Sequence, residues 1–360
     1  MASNDGMNYA PTGKPDPVVE PGEFCFAVVG MDHGHIHGQT NGLTEAGATL
    51  KYVYDANHPD AAKSLADQHG ATHVTDLQTV LDDPEIQLVA AAAIPNVRAE
   101  LGIRCMDADK HYFTDKTPLT SLEQLEDVKA AVARTGKKYM CYFSERLHVE
   151  CAMHAGTLIE QGAIGRVIQI TGFGPHRLGP PDKRPDWFYN HEQYGGILCD
   201  IGSHQIEQFL HYAGCKDATV QASKVANYHH PDHPELEDFG DCTLVGDNSA
   251  TMYFRVDWFT PDGLRTWGDG RTFITGTEGY IELRKYVDVA QDDHVSDVLI
   301  LVNGDGEQRM ELSGQVGFKY FGQLIRDCID GTENAMTQDH VLKAAELCVR
   351  AQLQAEHLTA

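Results

Sequence analysis

Phe24-Cys25-Phe26-Ala27-Val28-Val29-Gly30-Met31-Asp32-His33-Gly34-His35-Ile36-His37-Gly38 is an apolar run followed by a turn rich in glycine and histidine. A continuous apolar run closed by glycine is the pattern of a strand buried on both faces of a parallel sheet. A short helix follows to about Ala46, and a second strand, Leu50-Lys51-Tyr52-Val53-Tyr54, ends at Asp55. Dinucleotide-binding folds place a glycine turn after the first strand, so that phosphates meet a helix N-terminus. They place an acid roughly 20 positions on, at the end of the second strand, for the ribose diol. Asp55 holds that position and predicts NAD over NADP, because a 2′-phosphate would meet a like charge; the alternative is a turn or helix cap. The turn departs from G-x-G-x-x-G, with Asp32 and His35 where the second and third glycines would stand. Either it is rebuilt around Gly34, or Asp32 caps the helix and points away from the pyrophosphate. The cofactor-binding candidates here are Gly30, Asp32, His33, Gly34, His35 and Asp55. A metal reading of His33-x-His35-x-His37 is set aside, since no carboxylate or Cys cluster completes it and phosphates belong there.

Beyond this stretch, strand and helix signals alternate. Helices are predicted over 59–69, 77–82, 97–108 and 121–135, and strands near 72–74 and over 86–91, 110–114 and 138–142. This alternation predicts an α/β fold, a doubly wound parallel sheet of the Rossmann type. Ligands then bind beyond the carboxyl ends of the strands. Two loops there stand out, Ile94-Pro95-Asn96 and Asp115-Lys116-Thr117-Pro118. Pro95, Asn96 and Lys116 join the cofactor candidates.

After Ser144-Glu145-Arg146 the pattern changes. A helix over 149–161 is followed mainly by strands, at 166–174, 219–228, 240–247, 249–258, 271–276, 279–285 and 297–302. Helices over 318–330 and 339–357 close the chain. This predicts a C-terminal α+β domain with a large, mostly antiparallel open sheet. A bare sheet face marks an interface, so a homo-oligomer (dimer, tetramer or higher) is expected, paired through residues 219–302. The expected domains are a disordered tail or arm over 1–22, a dinucleotide-binding domain over 23–143, and a substrate-binding and oligomerisation domain over 144–360.

Tyr194-Gly195-Gly196-Ile197-Leu198-Cys199-Asp200-Ile201-Gly202-Ser203-His204-Gln205 carries the candidate chemistry. Ile206, Phe209, Leu210 and Ala213 recur at helical spacing, and Gly214 ends the helix. If that helix has begun by Asp200, Asp200 and His204 project from one face. A carboxylate beside an imidazole raises its basicity and fixes its tautomer, as a general base requires; the alternative is a capping or surface pair.

The run GGILCDIGSH resembles the signature of the Gfo/Idh/MocA oxidoreductases, in which a glycine pair leads into Asp-x-Gly-x-x-x-His or Asp-x-Gly-x-His. The resemblance covers roughly residues 24–358. It implies that Asp200 and His204 line the substrate pocket and work with Lys116 as catalytic residues. The family's usual Glu-Lys-Pro here reads Asp115-Lys116-Thr117-Pro118. The loop 174–194 is long and polar, with rings and donors suited to a sugar. His176, Arg177, Trp187 and Tyr194, together with Arg146, are the substrate candidates. The implied function is an NAD-dependent dehydrogenase oxidising a secondary hydroxyl of a sugar or glycoside, at C3 by preference. Alternatives are an inositol or aldose dehydrogenase releasing NADH, and an NAD-retaining glycosidase of the same fold.

Composition narrows the partners. Acidic residues number 53 against 28 basic, a net charge of −25, which argues against nucleic acid and anionic membranes. The 9 cysteines are scattered with no Cys-x-x-Cys pair, which suits a reducing cytoplasm. The N-terminal stretch has no apolar run before Phe24, so no signal peptide is expected, and no stretch is long enough to span a bilayer.

Overall fold

A computed structural model describes residues 6–180, 183–291 and 293–359. These divide into two compact units, residues 7–142 with 318–342, and Gly6 with 143–317 and 343–359.

The first unit is built on a six-stranded parallel sheet. Its strands are β1 (Cys25–Val29), β2 (Thr49–Tyr54), β3 (Thr72–His73), β4 (Ile86–Ala91), β5 (His111–Asp115) and β6 (Tyr139–Tyr142), in the order β3-β2-β1-β4-β5-β6. All five residues of β1 are buried, as a strand covered on both faces must be. The helices α1 (His35–Glu45), α2 (Pro59–His69), α3 (Leu77–Asp82), α4 (Arg98–Asp107) and α5 (Leu122–Thr135) alternate with the strands, as predicted.

Two groupings differ from expectation. Residues 10–18 lie along α1 in their own chain: Gly13 N donates to the Glu45 carboxylate, Asn41 reaches the carbonyls of Ala10 and Pro11, and Val18 N donates to Ala46 O. Residues 1–5 of the expected tail lie outside the described residues. The helix Lys319–Asp330 also groups with the parallel sheet, not with the C-terminal domain. Its Tyr320 and Phe321 pack on Phe113 at ring distances of 6.1 and 6.2 Å. Burial of one such ring is worth about 1.5–3 kcal/mol, and that burial decides where the helix sits.

In the second unit, α6 (Ser144–Leu147) and α7 (Glu150–Glu160) precede a nine-stranded sheet. Its strands are β7 (Val167–Pro175), β8 (Ala218–Ala226), β9 (Phe239–Gly246), β10 (Thr251–Asp257), β11 (Arg271–Gly276), β12 (Gly279–Arg284), β13 (Val298–Asn303), β14 (Gly306–Glu311) and β15 (Glu356–Leu358). The order is β14-β13-β12-β11-β7-β10-β9-β8-β15. Only β7 with β10 and β8 with β15 run parallel. The short helices α8 (His191–Tyr194) and α9 (Ile197–Asp200) lead into α10 (Gly202–Ala213), whose side chains meet β7 and β10. On the other face, Thr171 lies opposite both Tyr253 and Phe273 in the ladder. Tyr253, Phe273 and Tyr280 are each more than a third exposed. Among the described residues no helix is long and apolar enough to cross a membrane.

Asp297 enters β13 with φ +53° and accepts the Cys151 amide at 3.1 Å. Burial, with the Glu150 charge nearby, pushes its carboxyl up to about 6. A carboxyl raised on folding stabilises the protein below its unfolded pKa, and that stability is lost as pH rises through about 6. Asn accepts the same amide, tolerates the same backbone and carries no charge. Asp297→Asn is therefore expected to raise unfolding stability at pH 8 by about 1–3 kcal/mol and change little at pH 4. Urea unfolding at the two pH values checks this, and equal effects at both would refute it.

Candidate active site

In the parallel-sheet unit, the first turn departs from both forms expected of it. Gly30 carries the positive φ (+81°), while Gly34 precedes α1 with an ordinary helical φ of −63°. Asp32 does not cap the helix. Its carboxylate turns to His58 Nε2 at 3.2 Å and Asn57 Nδ2 at 3.4 Å. The helix start is satisfied by His33, whose Nδ1 accepts the His35 amide at 3.2 Å. That bond requires an unprotonated Nδ1, and burial, with His35 close by, pushes the His33 pKa well down.

Asp55 ends β2 as expected and is buried. Its carboxylate accepts the amides of Met31, Asn57 and His58, so it ties the turn to the loop after β2. Pro95 and Asn96 lie in a single 3-10 turn after β4. Asn96 Oδ1 is buried and has no hydrogen-bond partner among the described residues.

Asp115 gathers groups that are distant in sequence. His35 Nδ1 donates to Oδ1 at 2.9 Å, His33 Nδ1 lies 3.6 Å from Oδ2, and Arg98 approaches Oδ2 at 3.4 Å. Burial alone would raise this carboxyl, but His35 and Arg98 outweigh it and hold it far below the usual range. A carboxylate therefore does complete the histidine string, contrary to the sequence-based expectation. His33, His35 and Asp115 bring their donor atoms within 4.8 Å of one another. Arg98 against the same carboxylate opposes a second cation there, and the donors already serve internal bonds. Arg98 also donates to the carbonyls of Ala93, Lys116 and Thr117, which fixes the main chain that carries Lys116. Lys116 is buried, and the Lys116–Thr117 peptide bond is cis. Sequence reasoning missed Arg98. The available signal was a cation in the first turn of a helix, against the macrodipole.

In the other unit, Gly195 and Gly196 both take positive φ, +84° and +87°. The turn they make is held by Glu237, which accepts Ile197 N, and by Gln352, which accepts Leu198 N. Helical backbone begins at Ile197, tightens at Ile201 and resumes at Gly202. Asp200 is half-buried and His204 is buried in the first turn of α10. Around His204 lies a polar cluster. Lys285 Nζ donates to Glu145 Oε2 at 2.9 Å and to Gln208 Oε1 at 2.8 Å, and Gln208 Nε2 donates to the His204 carbonyl. Gln205 Nε2 donates to Glu145 Oε2 at 3.0 Å. Sequence reasoning passed over Glu145 and Lys285. Lys285 continues the inward alternation of Ile281 and Leu283, and a lysine on a core face needs a buried counter-charge.

The substrate candidates have other partners. Arg146 is forked onto Glu207, at 2.8 and 3.0 Å from Nε. Arg177 donates to the carbonyls of Pro261 and Leu264. Trp187 is buried in the 3-10 turn Asp186–Tyr189. Tyr194 is also buried, and its hydroxyl donates to Glu235 O and accepts Glu237 N. Arg177 and Tyr194 tie the loop 174–194 to neighbouring main chain, and Arg146 ties α6 to α10. A stacking platform at Trp187 or Tyr194 is not what their burial provides. His176 is buried beside Trp267, with Nδ1 against Gly174 O at 3.1 Å. Pro181 and Asp182 of this loop lie outside the described residues.

A parallel six-stranded sheet in the order β3-β2-β1-β4-β5-β6, with an acid closing its second strand, is the architecture of a dinucleotide-binding domain. The chain belongs to the Gfo/Idh/MocA family: residues 24–143 match its oxidoreductase, NAD-binding Rossmann fold, and residues 153–282 match its C-terminal domain. A crystal structure from Erwinia carotovora atroseptica SCRI1043, whose name goes no further than oxidoreductase, is 51% identical. It covers 94% of this chain and 100% of its own, with a TM-score of 0.88. D-xylose dehydrogenase of Paenarthrobacter nicotinovorans is 29% identical over 39% of this chain and 38% of its own length. Levoglucosan dehydrogenase of Pseudarthrobacter phenanthrenivorans is 27% identical over 52% and 51%. The chain thus spans about half or less of the length of these curated relatives. The cofactor is NAD, and the parallel-sheet unit fits it: Asp55 stands where a ribose diol is read, and Asn96 offers a buried acceptor.

Proposed function

We propose that this protein is an NAD-dependent dehydrogenase oxidising a secondary hydroxyl of a neutral sugar or glycoside to a keto-sugar, with C3 the favoured carbon. The state of the buried cations in the unit holding His204 carries the reading. Arg146 serves Glu207, Lys285 serves Glu145, and Arg177 and Arg184 serve main-chain carbonyls. A phosphate or carboxylate substrate needs a convergent cationic pair, and these four are already matched. The net charge of −25 further repels an anion. The two relatives named for D-xylose and levoglucosan support a carbohydrate.

NAD, when bound, supplies the redox chemistry by accepting the hydride. His204 takes the hydroxyl proton, Asp200 orients the imidazole, and Lys116 serves as a second acid–base group. The carbinol C–H bond breaks as the carbonyl forms, so one proton and one hydride leave the substrate.

The test begins by denaturing purified protein and looking for released NAD(H). Keto-sugar formation from a panel of neutral hexoses and glycosides is then followed by mass spectrometry, with and without a keto-sugar acceptor. Oxidation of a neutral sugar is expected. Fast oxidation of myo-inositol or a sugar phosphate with no turnover of neutral hexosides would overturn the reading, as would net glycoside hydrolysis without a keto-sugar product.

We also propose that a second copy covers the open sheet face, which the exposed Tyr253, Phe273 and Tyr280 support. A monomer by light scattering at micromolar concentration would contradict this. The cysteine usage supports a cytoplasmic location, which cell fractionation reads.

A further inference from the structure

Glu145 is 1% exposed, and its two carboxylate oxygens are treated differently. Oε2 accepts from both Gln205 Nε2 and Lys285 Nζ. Oε1 has no hydrogen-bond partner among the described residues. His176 Nε2 stands 3.9 Å from it, an electrostatic distance too long for a hydrogen bond.

The carboxylate cannot turn to escape this. Gln205 lies over β7 at Gly172, where a Cβ would stand 2.1 Å from Gln205 Oε1, so a larger residue would displace it. Lys285 is held in turn by Gln208. Burial pushes the Glu145 carboxyl up, but Lys285, His204 and His176 outweigh it and hold it at about 2. At neutral pH Oε1 is therefore a fixed, charged acceptor that can only receive a donor. It is also a poor base, so it binds a hydroxyl without deprotonating it.

We propose that Glu145 is a substrate-binding residue whose Oε1 accepts a hydrogen bond from a hydroxyl of a neutral sugar or cyclitol, one other than the hydroxyl oxidised. This rests on the dehydrogenase reading above and adds to it a determinant of which ring hydroxyls a substrate must carry. A buried acceptor built for a hydroxyl rejects the analogue lacking it, because the acceptor is then stranded.

The isosteric variant is unusually informative. In Glu145→Gln the two donors on the Oε2 side keep the amide oxygen, so the NH₂ takes the place of Oε1. An acceptor becomes a donor at one atom with the shape unchanged. The experiment measures kcat/KM with D-glucose, D-xylose, levoglucosan and myo-inositol, and with monodeoxy counterparts of the best of them, one for each hydroxyl. In the unmodified protein, removing one particular non-reacting hydroxyl should cost about 10–100-fold, the worth of a hydrogen bond to a charged group. In Glu145→Gln the parent substrate should fall by a similar factor, and the penalty for that one deoxy analogue should vanish. NADH affinity should stay put, while the unfolding midpoint should fall, because buried Lys285 loses its counter-charge. If Glu145→Gln does not fold, Glu145→Asp replaces it, keeping the charge while withdrawing the oxygen by one carbon, with the same loss of discrimination expected. A uniform fall across the parent and every deoxy analogue would overturn the proposal and leave Glu145 a structural role. Failure of the unmodified protein to oxidise any of the four parents would overturn the dehydrogenase reading itself. The two failures are distinct, since the first requires a good parent substrate.

Discussion

His204→Ala and Lys116→Ala should each lower turnover by about 10²–10⁴-fold, the usual worth of a positioned acid–base group. His204 stands in the first turn of α10, 1% exposed, with its main chain tied through Gln208 to Lys285. Truncating the imidazole removes the proton acceptor and leaves that tie intact, because Gln208 bonds the carbonyl. Lys116 is positioned in the same manner. Arg98 holds the carbonyls of Lys116 and Thr117, so the loop keeps its path when the side chain is cut at Cβ. Loss of turnover should therefore come without loss of fold, and thermal unfolding should show similar midpoints. NAD affinity should be unchanged in His204→Ala, since that residue lies outside the Rossmann unit. Full activity in either variant would refute its assigned role.

Asp55→Ala should relax the preference for NAD over NADP by about 10–100-fold, the worth of one charge-assisted contact. The structure makes the choice of readout important. The Asp55 carboxylate accepts three main-chain amides, so its loss loosens the turn after β1 and weakens binding of both cofactors. That structural loss is common to NAD and NADP and cancels in the ratio of their dissociation constants. What remains in the ratio is the repulsion between the carboxylate and a 2′-phosphate. Fluorescence titration with both reduced cofactors measures it. An unmodified protein that binds NADP as tightly as NAD would refute the ribose role, as would a ratio unmoved by the substitution.

Much of the architecture was legible along the chain. The helices at 59–69 and 77–82 and the strands at 86–91 and 271–276 stand where periodicity places them. Two edge strands escaped. β14 reads Gly-Glu-Gln-Arg-Met-Glu and is almost wholly exposed, and β15 has three residues. A polar edge strand blunts aggregation and for the same reason lacks the alternation by which strands are recognised. Residues 10–18 read from composition as part of a disordered tail or an arm on another subunit, yet they follow α1 of their own chain through hydrogen bonds that composition does not encode. The helix 319–330 was assigned by chain position to the wrong unit, because an amphipathic face shows that it must be covered and not by what.

The candidate site divides the same way. Sequence alone named Gly30, Asp55, Lys116, Asp200 and His204 as candidates, because each stands at a local feature: a strand end, a glycine turn or a helical spacing. Only the tertiary structure decided what the charged groups do to one another. Asp115 meets His35 across 80 residues and Arg98 across 17, and Glu145 meets Lys285 across 140. It also decided that Arg146, Arg177 and Tyr194 hold the protein together. Periodicity is a relation among neighbours in the chain and is written there. The partner of a buried charge is set by which strands abut, and a carboxylate in sequence carries no mark of the cation that will lie beside it.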